Sequence, residues 1–223
     1  FLGCLVGGFM LLRRKKLLAK TAIKWALLVS TLYALTTFNQ LPLYWMYYNT
    51  ATSANSFLFQ LLSQAIMQFL MPFIVLFLTF SAAESLTRTA FGKHPQLWKV
   101  WSDNNAGSLT IFGYTIAGYL CTAFELGFFI LFYFLLVKNF GWWIPGGMLT
   151  DPNILATYFP PLNALAISLF AGFREECIFR AVPLAGAALL GRRFGKEKWF
   201  VVIMLIVQSL VFGAAHANYT TFP

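Results

Sequence analysis

Long apolar runs alternate with short polar or basic stretches along this chain, and most runs have the length of a membrane-crossing helix. They cover about Thr21 to Phe38, Phe57 to Phe80, Leu109 to Val137, Leu162 to Leu190 and Trp199 to Ala217. Phe1 to Leu12 is too short to span and is followed, not preceded, by charge, so it reads as the tail of a further helix. The ten-residue alternation of an outer-membrane barrel is absent. The pattern predicts an all-α, polytopic transmembrane helical bundle with about six membrane segments. Neither an internal repeat nor a linker divides it. Residues 1–223 therefore read as a single transmembrane domain, incomplete at both termini.

The loops assign an orientation. Arg13-Arg14-Lys15-Lys16 with Lys20 and Lys24, the polar stretch 81–108 with Arg88, Lys93, His94 and Lys99, and the basic turn 191–198 hold most of the lysine and arginine. The positive-inside rule places these three in the cytoplasm. Residues 39–56, with Tyr44, Trp45, Tyr47 and Tyr48, and residues 138–161, with Trp142 and Trp143, form the outer loops with interfacial aromatic anchors. Every helix then alternates correctly. Gln60, Gln64 and Gln68 recur every four residues, on one helix face, and predict a hydrogen-bonded seam to a neighbour.

Composition agrees: 59% of residues are hydrophobic and 10% charged, far from a soluble domain. The net charge of +9 could suggest nucleic acid, but it sits in loops between spans, with no basic stripe among solvent-facing aromatics. The partner implied is the lipid bilayer, not nucleic acid. An integral, multi-pass protein with such compact loops fits a bacterial inner membrane, with the endoplasmic reticulum as the open alternative. Cys4, Cys121 and Cys177 are far apart, each in an apolar run, and read as packing residues.

One stretch departs from this economy. Arg174, Glu175, Glu176 and Arg180 fall within seven positions of an otherwise apolar helix, which Pro183 should bend. Each charge at mid-membrane costs about 3 kcal/mol on insertion scales, so the cluster asks for pairing or a wet cavity. Glu176 and Arg180 are i,i+4 and can pair, whereas Glu175 points about 100° away around the axis. Glu125, near the centre of its own span, is expected to pair with Arg174 or Arg180. Glu175 lies sixteen residues before Gly191 and His216 eighteen residues after Lys198. That puts them at about 24 Å and about 27 Å from the shared turn, a similar depth on neighbouring helices. A carboxylate left available in a partly wet, low-dielectric site suits a general base working on water. An imidazole beside it can bond that water, stabilise an oxyanion or ligate a metal.

These residues carry a resemblance. Glu175-Glu176-Cys177-Ile178-Phe179-Arg180 reads as EExxxR and Phe212-Gly213-Ala214-Ala215-His216 as FxxxH, in that order on consecutive helices. The pair resembles the first two signature motifs of the CPBP family (CAAX proteases and bacteriocin-processing enzymes, also called Abi), whose best-known relative is the type II CAAX prenyl endopeptidase. The resemblance implies an intramembrane peptidase built as a helical bundle, acting on membrane-associated peptide or protein substrates. It implies Glu175 as catalytic base, Glu176 and Arg180 as its motif companions, and His216 as the first active-site histidine. It leaves two accounts open: a metalloprotease with Zn2+ on Glu175 and His216, or glutamate-dependent hydrolysis without metal. The family's further motif, a histidine followed four residues on by Asn or Asp, is missing from a chain that stops seven residues after His216. Two other classes compete: a transporter using the buried Glu, Arg and His as a proton relay, and a non-catalytic membrane scaffold.

Overall fold

The computed structural model describes residues 2–13, 18–92, 103–141 and 155–216, and all regular structure among them is helical. In chain order the helices are α1 (Leu2–Arg13), α2 (Ala19–Asn39), α3 (Leu41–Met46), α4 (Ala54–Phe91), α5 (Asp103–Ala106), α6 (Leu109–Phe140), α7 (Pro160–Glu175), α8 (Val182–Arg193) and α9 (Glu197–His216). A π-helical segment, Glu176–Ala181, joins α7 to α8. Four stretches are long and apolar enough to cross a membrane: Ala19–Met46, Ala54–Phe91, Leu109–Phe140 and Glu197–His216. The expected all-α, polytopic membrane architecture is therefore what the chain adopts.

Two compact units result. The first holds α1–α4 and α7–α9; the second holds α5 and α6. In the second, Ser108 caps α6 by accepting a hydrogen bond from the Ile111 N–H. Gly141 ends it in the left-handed conformation (φ +66°), where glycine bears no Cβ penalty. Glu125 and Cys121 lie along this helix.

In the first unit the core is made by small residues. Among the described residues, ten of its seventeen buried apolar side chains are alanines, including Ala26, Ala82, Ala166, Ala185 and Ala188. In lipid no hydrophobic drive separates Leu from Ala, so helices associate by close backbone approach and by polar bonds. Both devices are present. Ala90, Ala185 and Ala188 seat α4 against α8. The glutamine seam forms as expected at two of its positions: the Thr37 hydroxyl donates to Gln68 Oε1 at 2.6 Å, and Gln64 Nε2 donates to the Tyr44 hydroxyl at 2.9 Å. Asn39, at the end of α2, clamps the start of α7: its Nδ2 donates to the Phe159 carbonyl (2.9 Å) and to Asn163 Oδ1 (3.0 Å), and its Oδ1 accepts from the Phe159 N–H (2.7 Å).

Three local readings are corrected. Residues 81–91, expected in a cytoplasmic loop, continue α4, and Ser81, Ala82, Ala83, Ser85 and Ala90 are buried there. Their small side chains let α1 and α8 pack against a helix whose polarity alone suggested a loop. Within the outer stretch 39–56, Leu41–Met46 is a short helix, with Pro42 in its first turn where the missing N–H costs nothing. The bend expected at Pro183 is instead the widened π turn just before it. Pro183 has no N–H to return to the preceding turn, and the Val182 N–H bonds the Cys177 carbonyl five residues back. Arg14 to Lys16, His94, and Trp142 with Trp143 lie outside the described residues.

Candidate active site

Three aromatic contacts fix where α7 ends. Tyr33 meets Phe170 (ring centroids 4.8 Å), and Phe173 lies between Trp25 of α2 (5.2 Å) and Phe80 of α4 (5.3 Å). With Phe173 turned inward, successive residues fan out around the axis. Cys177, four residues on, is buried, as expected of a packing cysteine, and so is Cys4. Glu175 is half-buried, with 25% of its side chain exposed, while Glu176 is exposed and ion-paired with Arg180. Glu176 pairs with Arg180 as its i,i+4 spacing predicts, while Glu175 takes a different face of the segment.

Glu175 points at α9. Its Oε1 lies 3.8 Å from His216 Nε2, so the acid of one helix and the imidazole of the next meet as their spacing predicts. The hairpin that brings them together turns through Phe194–Lys196. Gly195 takes φ +66°, and the Lys196 N–H bonds the Gly191 carbonyl at 2.9 Å. At Gly191 a Cβ would come within 2.8 Å of Glu197 Cα and 2.9 Å of Phe200 Cβ, so only glycine lets α8 and α9 approach this closely.

The imidazole is oriented by its own helix. His216 Nδ1 is 2.8 Å from the Phe212 carbonyl oxygen, which can only accept, so Nδ1 carries a proton. In the neutral ring Nε2 is then an acceptor, facing a second acceptor, Glu175 Oε1. At 3.8 Å, two acceptors can be reconciled by one water that donates a hydrogen to each. The ring of Phe212 packs on His216 (4.2 Å), and Phe179 of the π segment meets Phe212 edge-on (5.3 Å). Behind them lies a cavity of about 80 Å³ reached by Gly172, Glu175, Glu176, Arg180 and Gln208. A water needs only ~10–15 Å³, so this space admits a few.

Two participants were not foreseen. Arg174 Nη2 stands 3.7 Å from Glu175 Oε1, so the acid has a cation beside it, though not at hydrogen-bond length. Arg174 and Arg180 thus each stand beside a glutamate of their own segment, Glu175 and Glu176. Gln208 lies one and two helical turns before Phe212 and His216, and that i, i+4, i+8 spacing was legible beforehand. Glu175 and His216 supply two of the three protein ligands that catalytic zinc takes, and among the described residues no group of three His, Cys, Asp or Glu side chains is assembled.

Residues 157–223, which include α7–α9 and both motifs, match the family described as type II CAAX prenyl endopeptidase Rce1-like. This is the CAAX protease family that the two motifs resemble. The chain is an integral membrane protein, and its C-terminal part is similar to that family. Neither a curated protein nor a solved structure matches the chain.

Proposed function

We propose that the protein is an endopeptidase that cleaves membrane-associated peptides, of prenylated CAAX or bacteriocin type, with water activated by Glu175. The observation that carries this reading is the 3.8 Å approach of Glu175 Oε1 to His216 Nε2 across two helices. A water held between them has its hydrogens directed at two bases and its lone pair free for a carbonyl carbon. As it attacks, Glu175 takes the proton and a tetrahedral oxyanion forms. Arg180, which has five N–H donors and spends some on Glu176, supplies charge for that oxyanion. His216 holds the water in line by accepting its other hydrogen at Nε2, and that hydrogen stays on the new hydroxyl of the tetrahedral intermediate. Glu176 keeps Arg180 in place. On collapse the C–N bond breaks and the Glu175 carboxyl returns its proton to the leaving amine. A bacterial inner membrane is the proposed setting.

The test is cleavage of a prenylated CAAX-type peptide, and of an unprenylated counterpart, by the full chain reconstituted in liposomes. Glu175→Gln keeps size and hydrogen bonding but removes the base. It should lower kcat about 10²–10⁴-fold, with helical content and thermal unfolding unchanged. Wild-type liposomes that pass protons or ions but cleave neither peptide would turn the reading to a relay. Folded protein with no activity of either kind would turn it to a scaffold.

A further inference from the structure

A second cavity lies apart from Glu175 and His216. It has about 620 Å³ and runs between α1, α4 and the α8 side of the hairpin. Small-ligand sites span ~300–1,000 Å³, so it is large enough for a ligand of its own. Its walls are apolar along almost their whole length: Gly3 and Gly7 from α1, Leu86 from α4, Val182 and Gly186 from α8. At the basic end stands one arginine, Arg193. From Ile178 to Arg193 the cavity follows about 22 Å of helix, longer than the ~15 Å depth of one leaflet in a ~30 Å hydrocarbon core.

The two neighbouring arginines are used differently. Arg192 is committed: its Nε and Nη2 donate to Glu197 at 2.9 Å each, and it also reaches the Thr89 and Ala90 carbonyls at the end of α4. Arg193 has no carboxylate among the described residues and lines the cavity mouth. A long apolar slot capped by one uncommitted guanidinium, at the end that the charge distribution assigns to the cytoplasmic face, has the anatomy of a lipid turned inside out. A planar guanidinium matches a phosphate in two-point geometry. We propose that this cavity holds one acyl chain of an anionic phospholipid from the cytoplasmic leaflet, with its phosphate on Arg193.

The experiment is native mass spectrometry of the full chain, released from micelles doped with phosphatidylglycerol or with phosphatidylcholine of identical acyl chains. Wild type should retain one phosphatidylglycerol at least tenfold over phosphatidylcholine. Arg193→Gln should abolish that preference, whereas Lys196→Gln, on the same turn but away from the cavity lining, should keep it. At Gly186, which lines the slot, a Cβ meets no atom within 4 Å, so Gly186→Leu starts from open space and should remove retention of both lipids. Leu190→Trp, which narrows the mouth from an exposed position, should lower retention as well. Equal retention of the two lipids by wild type would overturn the proposal, as would full retention in both filled variants. So would an equal loss in Lys196→Gln, which would mean diffuse surface charge. Displacement of the phosphatidylglycerol by a prenylated peptide, one for one, would assign the cavity to substrate instead.

Discussion

Two charged clusters sit on the same helical hairpin, and they are built to opposite specifications. At the turn, Arg192 spends its fork on both oxygens of Glu197 at 2.9 Å and on the last carbonyls of α4. Deep in the hairpin, Glu175 has Arg174 at 3.7 Å and His216 at 3.8 Å, neither at hydrogen-bond length. The first cluster is saturated and ties α4, α8 and α9 together. The second keeps unspent capacity beside a cavity that admits water. Charge inside or beside a membrane helix can therefore be structural or chemical, and the completeness of its bonding separates the two.

That contrast can be broken most forcefully by exchanging the injuries. Glu175→Gln should cost about 10²–10⁴-fold in kcat at unchanged thermal stability. Arg192→Gln should do the reverse, lowering the unfolding temperature while turnover per folded molecule stays within about threefold of wild type, the small residue left when a distant site is perturbed. A loss of activity in Arg192→Gln with stability intact would erase the distinction. Next in size is Gly191→Val, which forces a side chain against Glu197 and Phe200. Overpacking of this kind costs about 1–3 kcal/mol, read as a lowered midpoint in a denaturant titration. Smallest is Gln208→Leu. Gln208 Nε2 is bonded to the Leu205 carbonyl (3.2 Å) and to Ser209 Oγ (3.0 Å), which leaves its Oε1 for the cavity. Removing that acceptor should lower kcat/KM about three- to tenfold, a hydrogen bond's net worth. An unchanged value would place Gln208 outside the site.

Much of this was readable from residues alone, because the strongest signals are local. Apolar runs locate the helices. The i,i+4 spacing of Glu176 and Arg180 implied their ion pair, and similar distances from the basic turn implied that Glu175 and His216 would meet. What stayed hidden depends on neighbours. Ser81, Ala82, Ala83 and Ser85 look like loop residues by polarity and size, and become helix core only because α1 and α8 press against them. The π turn at Glu176–Ala181 is a compromise between Pro183, which cannot donate, and a packed segment that must continue. Periodicity at 3.6 residues per turn cannot register it. Arg192 read as one more cytoplasmic charge, since its partners on α4 are about a hundred residues away in the chain.

The central claim is that Glu175 and His216 act on one water, and a double-mutant cycle on peptide cleavage tests it most directly. Glu175→Gln, His216→Ala and the double variant are compared in the same liposomes, as the logarithm of kcat/KM. Residues that serve a single step as a unit are grossly non-additive. The account predicts that the double variant is no slower than the worse single one, within about threefold. Two losses that multiply in full would show that the pair acts independently, and would contradict it.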